Sequence, residues 1–144
     1  MPKSTSASNS ILALIFNATT WADIAEDDST SPATNLYLSL HTADPGVGGS
    51  QLTNETAYTN YVRIAVARTT GGWDAPASGA TANAALAQFA QCGASGATLT
   101  HVAIGTGAAG AGLVLYAGAL TSSLAVANGI QPQFAAGALD ISES

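Results

Sequence analysis

Gly105-Thr106-Gly107-Ala108-Ala109-Gly110 spells GxGxxG directly after an apolar, extended stretch, a spacing that can bring backbone amides against a dinucleotide pyrophosphate. That chemistry also needs a capped helix behind the glycines and an acid about 20 residues further on. Gly112-Leu113-Val114-Leu115-Tyr116 follows instead, in an extended pattern, and no such acid stands there. The segment therefore reads as a flexible Gly/Ala loop between two antiparallel strands.

His41-Thr42-Ala43-Asp44 and Asn54-Glu55 collect an imidazole and oxygen donors, a loose set for a metal that needs three or four converging ligands. Asp44 before Pro45 is equally a turn start, with His41 on the polar side of a strand. Cys92 is the single cysteine, which excludes an intrachain disulfide and a Cys-based zinc site. Neither histidine is spaced to serve it as a base, so it reads as a small buried hydrophobe. His101 shares a strand side with Leu99 and Ala103 and reads as a packed, hydrogen-bonded side chain. No GxSxG elbow supports a Ser-His-Asp arrangement. The acids from Asp23 to Asp28 crowd one helix end and do not form a separated catalytic pair. A lectin-like or carbohydrate-processing reading would rest on Trp73-Asp74 alone. The expectation is a non-enzyme with no cofactor or metal.

Tyr58, Tyr61, Arg63 and Arg68 form the most suggestive group, with Glu55 and Asp44 in the loop before them. Tyr and Arg bury large area and still direct hydrogen bonds, so interfaces favour them. These six residues are the interface candidates. The alternative is ordinary surface salt-bridging, for instance Arg63 with Glu55.

Two strand-like stretches must position this group. In Asn35 to Thr42, Leu36, Leu38 and Leu40 alternate with Tyr37, Ser39 and His41, and in Tyr61 to Arg68, Val62, Ile64 and Val66 alternate with Arg63, Ala65 and Ala67. The loop from Ala43 to Asn60, 18 residues, is longer than a hairpin needs, which suggests ordering from outside the domain. Before these strands, Ser8 or Asn9 can cap a helix running from Ile11 toward Ala18, with Trp21, Ile24 and Ala25 continuing its apolar face until the acidic run and Pro32. Beyond them, strands are predicted near Gly79 to Asn83, Ala84 to Ala90, Ala97 to Gly105, Leu113 to Leu120, Ser123 to Ala127 and Phe134 to Ile141. The Ala84 to Ala90 stretch could equally make helical turns. The spacing predicts an all-β fold: a two-sheet antiparallel sandwich of jelly-roll or Greek-key type, about eight strands, with one short N-terminal helix. Residues 1–34 would be an arm and helix, and 35–144 the sandwich of a single globular domain.

Only 8% of the 144 residues are charged, and the net charge is −6 from three cations and nine acids. Direct nucleic-acid binding, which needs many cations, is not expected. Six apolar residues from Ile11 to Phe16 are too few for a signal peptide or a membrane span. Much of the hydrophobic content is alanine, so the core is thin and burial against other subunits would compensate.

The run Asn35 to Thr69, followed by THVAIGTGAAGAGLVLYAGAL (Thr100 to Leu120) and QFAAGALDI (Gln133 to Ile141), resembles a family of small virion structural proteins of tailed bacteriophages. Its members are described as capsid cement or decoration proteins or as tail-fibre-like proteins. The resemblance implies a β-sandwich that self-associates, as a dimer or trimer, and binds the virion surface without catalytic residues. The short chain, without a stalk or a distinct tip domain, favours a cement protein on the outer capsid surface, partnered by the major capsid protein. The alternative is a tail-fibre or tail-tip component whose loops, such as Ala43 to Asn60, contact the host.

Overall fold

The computed structural model describes residues 3–21 and 32–143. Among the described residues the chain is mostly β with one short helix: α1 (Thr5–Asn17), β1 (Asn35–His41), β2 (Ile64–Ala67), β3 (Ala80–Ala82), β4 (Ala87–Gln88), β5 (Ala97–Gly105), β6 (Val114–Val126), β7 (Gln133–Phe134) and β8 (Asp140–Ser142). The eight strands form one four-stranded sheet in the order β2-β1-β5-β6 and two ladders, β3-β8 and β4-β7. They are thus grouped as four, two and two, where a jelly roll would divide them between two large sheets. The chain divides into two compact units, one of Met1–Asn35, Val66–Ala87 and Phe134–Ser144, the other of Leu36–Ala65 and Gln88–Gln133.

In the first unit, α1 starts one turn earlier than the sequence suggests. Ser4 is the cap, its hydroxyl accepting from the Ala7 amide. Ser8 is instead buried with Leu12 and Phe16 on one face, as residues four apart on a helix must be. The helix stops at Ala18, whose left-handed backbone turns the chain so that its amide and that of Thr19 close on the Ala13 carbonyl. Trp21 lies in a β-bridge beyond it, not on a continued helical face. Ile24, Ala25 and the acidic run lie outside the described residues. Phe16 meets Trp73 edge-on at 4.7 Å, and both rings are fully buried. Arg68, just after β2, donates from Nε to the Ile15 carbonyl, from Nη2 to Leu14 and from Nη1 to Ala33. Two of those acceptors are C-terminal helix carbonyls without an intrahelical partner, and the last turn has no cation of its own. β3 pairs with β8 through Thr81↔Ile141. Buried Asn83 donates to the Ala85 and Ala135 carbonyls and accepts from the Leu139 amide.

The second unit is built on the larger sheet. β1 runs antiparallel to β5, from Tyr37↔Gly105 to His41↔His101. Leu36, Leu38 and Leu40 are buried as their alternation requires, but so are Ser39 and His41 on the opposite side. The loop after β1 folds back over that polar side and covers it. β5 and β6 pair irregularly: Leu99 faces Leu124, yet His101 faces Ala119. Two steps along β5 match five along β6, so three surplus residues bulge from the sheet edge. The two predicted strands Leu113 to Leu120 and Ser123 to Ala127 are this one long β6. Conversely, Phe134 to Ile141 is split by a turn into β7 and β8.

Candidate functional site

The segment from Thr42 to Arg63 is ordered by its own unit, which corrects the expectation of external ordering. Asp44 does start a turn, its Oδ1 accepting from the Gly46 amide at 2.8 Å. Asn54, at positive φ, donates from its side chain to the Asp44 carbonyl, and its own carbonyl accepts from the Thr42 amide. The Thr56 amide bonds the Leu40 carbonyl, returning the segment to the edge of β1.

Arg63 is the centre. Its Nε donates to Glu55 Oε1 and its Nη2 to Glu55 Oε2, both at 2.7 Å, a two-point clamp. Nη1 reaches the Gly107 carbonyl and Nη2 the Gly110 carbonyl, also at 2.7 Å, with a longer contact from Nη1 to Gln51 Oε1 at 3.5 Å. All five guanidinium hydrogens are thereby directed at acceptors inside the unit. The side chains are 3% and 11% exposed for Arg63 and Glu55, so this is a buried pair and not the surface bridge considered above. Glu55 holds the guanidinium above its ordinary pKa. Tyr61 donates to the same carboxylate at 2.8 Å and accepts from the Leu40 amide. Burial, chiefly, pushes its hydroxyl far up.

Gln51, fully buried, is the second anchor. Its Nε2 donates to the Tyr37 carbonyl at 3.1 Å and approaches Ser39 Oγ at 3.4 Å, while Oε1 accepts from the Gly107 amide at 2.8 Å. Its backbone amide bonds the Gly112 carbonyl. Beyond Ser39, His41 Nε2 lies 2.9 Å from Ser39 Oγ, and its Nδ1 lies 2.9 Å from the Thr53 carbonyl. Desolvation lowers the His41 pKa, against the opposing pull of the Thr53 bond and Glu55.

The GxGxxG segment acquires its physical reason here. A Cβ on Gly105 would stand 2.3 Å from the Gln51 amide carbon, and one on Gly112 would stand 2.1 Å from Gln51 Oε1. Gly110 has φ +71, the left-handed region that favours glycine. These glycines admit Gln51 and expose carbonyls to Arg63. The loop is pinned, not flexible.

Of the six interface candidates, Glu55, Tyr61 and Arg63 are brought together in this clamp. Tyr58 is buried, donating to the Ala90 carbonyl, and burial pushes its hydroxyl up to about 12. Arg68 belongs to the helix in the other unit. Asp44 is exposed at the turn. The predicted alternation in Tyr61 to Arg68 fails at its start. Asn60 has positive φ and the Tyr61 amide turns back to the Tyr58 carbonyl, so regular strand begins only at Ile64. Val62 is consequently exposed and Arg63 buried. Cys92 is buried, and His101 is half-buried beside Thr100 Oγ1. No group of three metal-ligating side chains occurs among the described residues. Gln51 went unnoticed in the sequence. Its only trace there was a set of glycines with no nucleotide to bind.

Several large apolar side chains near the clamp are exposed, beside polar ones such as Asp44, Asn54 and Asn60. Val47, Leu52, Val62 and Leu113 are exposed large hydrophobic side chains; Leu52 and Val62 adjoin Gln51 and Arg63, Leu113 follows the Gly112 carbonyl that accepts from the Gln51 amide, and Val47 lies in the turn started by Asp44. The sequence model of the family described as Podophage GP4 fiber I protein gp80 matches residues 2–142. The chain belongs to this family. The expected class, a bacteriophage virion structural protein, therefore holds, and it is a fiber family. The cement role and the outer-capsid location gain no support, and the fibre alternative fits better. No curated protein matches the chain.

Proposed function

We propose that this chain is a non-enzymatic component of the phage fibre and that its clamped loops form an attachment face. The observation that carries the reading is the exposure of Val47, Leu52, Val62 and Leu113 on segments held by buried polar anchors. Exposed apolar side chains on mobile loops would collapse or fluctuate, whereas fixed ones keep a shape a partner can match. The partner is another virion protein, a second copy, or the host surface. The chemistry-bearing residues support a structural role: His41 and Ser39 face each other inside the unit, and Arg63 and Glu55 neutralise each other.

The triple variant Val47→Asp, Leu52→Asp, Leu113→Asp tests the face. Its incorporation into particles, or its adsorption to cells, should fall, while the melting temperature stays near wild type because exposed substitutions change stability by only about 0.5 kcal/mol. Undiminished attachment would remove this face from the reading. An abundance in purified particles matching that of the major capsid protein would remove the fibre assignment.

A further inference from the structure

We propose that the attachment loops contain a proton-sensitive latch: Gln51 is seated only while His41 is neutral, and acidification unseats it. The proposal deepens the attachment-face reading and rests on it for the identity of those loops.

The argument is one of hydrogen-bond direction. The Thr53 carbonyl can only accept, so His41 Nδ1 carries a hydrogen. In the neutral ring Nε2 is then a bare acceptor, and the Ser39 hydroxyl must donate to it. Ser39 Oγ is thereby free to accept from Gln51 Nε2, which also donates to the Tyr37 carbonyl. Gln51 Oε1 in turn faces two donors, the Gly107 amide and Arg63 Nη1. Every group in this chain of bonds has one satisfying orientation.

A second proton on His41 places an N–H where the Ser39 hydroxyl hydrogen points. If Ser39 turns to accept it, Oγ can still accept from Gln51 Nε2 with its second lone pair, but its own hydrogen then loses its acceptor. Turning the Gln51 amide over would offer that hydrogen the amide oxygen, but it sets the Gln51 NH₂ against the Gly107 amide and Arg63, and its oxygen against the Tyr37 carbonyl. Ser39, His41 and Gln51 are all fully buried, so water is not at hand to absorb the mismatch.

The charged and titratable groups facing His41 are His101, paired across β5, with Glu55 and Arg63 from the segment after β1. Glu55 would welcome the added charge, but it is already held at both oxygens by Arg63 and accepts from Tyr61. Burial keeps the folded His41 pKa below its value in a solvated chain. The loosened state therefore binds more protons, and the stabilisation present above the ordinary histidine range is lost as pH falls through it. The Arg63–Glu55 hydrogen bonds do not pass through His41, so the Thr56 return to Leu40 should persist while the contacts around Gln51 open.

Amide hydrogen exchange on the full chain, compared at about pH 7.5 and about pH 4.5 across the histidine range and corrected for the intrinsic pH dependence of exchange, tests the latch. Expected is a loss of protection at Gln51, Gly107 and Thr42 with the β1–β5 ladder unchanged. The His101→Gln variant should keep this response, and His41→Gln should lose it. Should His41→Gln fail to fold, imidazole nitrogen shifts in the wild type supply the second readout: His41 should titrate together with the loss of Gln51 protection. Loop protection that does not change with pH, or a change that tracks His101, overturns the proposal. Because this measurement is made on the free chain, its failure is distinct from a failure of attachment.

Discussion

Arg63 shows how little a residue's type reveals about the direction in which it works. An exposed arginine beside two tyrosines looks like an anchor for another protein, yet here every hydrogen of its guanidinium closes a contact within its own unit. Removing one partner of a buried pair leaves the other charge uncompensated, at a cost of about 3 kcal/mol or more. Arg63→Ala should therefore lower the stability read by urea unfolding by about that amount. Arg63→Lys should recover little, because an ammonium cannot span both Glu55 oxygens and two carbonyls. Near-wild-type stability in either variant would show that the clamp is dispensable.

At the scale of elements, one cation does for the helix what the helix's own sequence does not. Arg68 gathers two C-terminal carbonyls of α1 and the Ala33 carbonyl. Arg68→Ala should expose those acceptors and destabilise the unit containing α1 by about 2 kcal/mol, the scale of a charge-assisted hydrogen bond. Circular dichroism would report the change as a helical signal that melts earlier than in the wild type. Elements of this kind were unevenly legible in the sequence. β1 and β5 could be read almost to the residue because alternation marks a strand, leucines at every second position of β1 and β-branched residues at every second position of β5, and the existence of one short helix, though not its bounds, was visible too. The early start of α1 was hidden because several serines in succession can each cap, and only the burial of Ser8 chooses among them. The union of two strands into β6 was hidden because Thr121-Ser122-Ser123 has the composition of a turn and behaves as a bulge. The clamp could not be read at all: Glu55, Arg63 and Gly107 meet through the folding of two loops, and no local period records that meeting.

For the whole molecule, the charge inventory matters more than its total. Each of the three cations is engaged within the chain, Lys3 with Glu143, Arg63 with Glu55 and Arg68 with backbone carbonyls. The excess of nine acids over three cations thus leaves no unengaged cation among the described residues. Attachment through the apolar loop face should then depend weakly on ionic strength, in contrast to an interface formed by opposed charges. The low charge that suggested a molecule dependent on neighbours is compatible with a self-sufficient interior, because buried polar anchors hold the loops where a larger apolar core would otherwise be required.

β6 closes the sheet order, and its thirteen residues contain neither a charge nor a proline, the usual guards of an exposed edge. Its three surplus residues supply the missing guard by bending the open row of amides out of line. Deleting Thr121, Ser122 and Ser123 would bring Leu99 to Leu124 and His101 to Ala119 into one unbroken register. The straightened variant should form concentration-dependent aggregates visible by light scattering where the natural chain stays clear. A small irregularity would then be what keeps one copy of the chain from zipping onto the next.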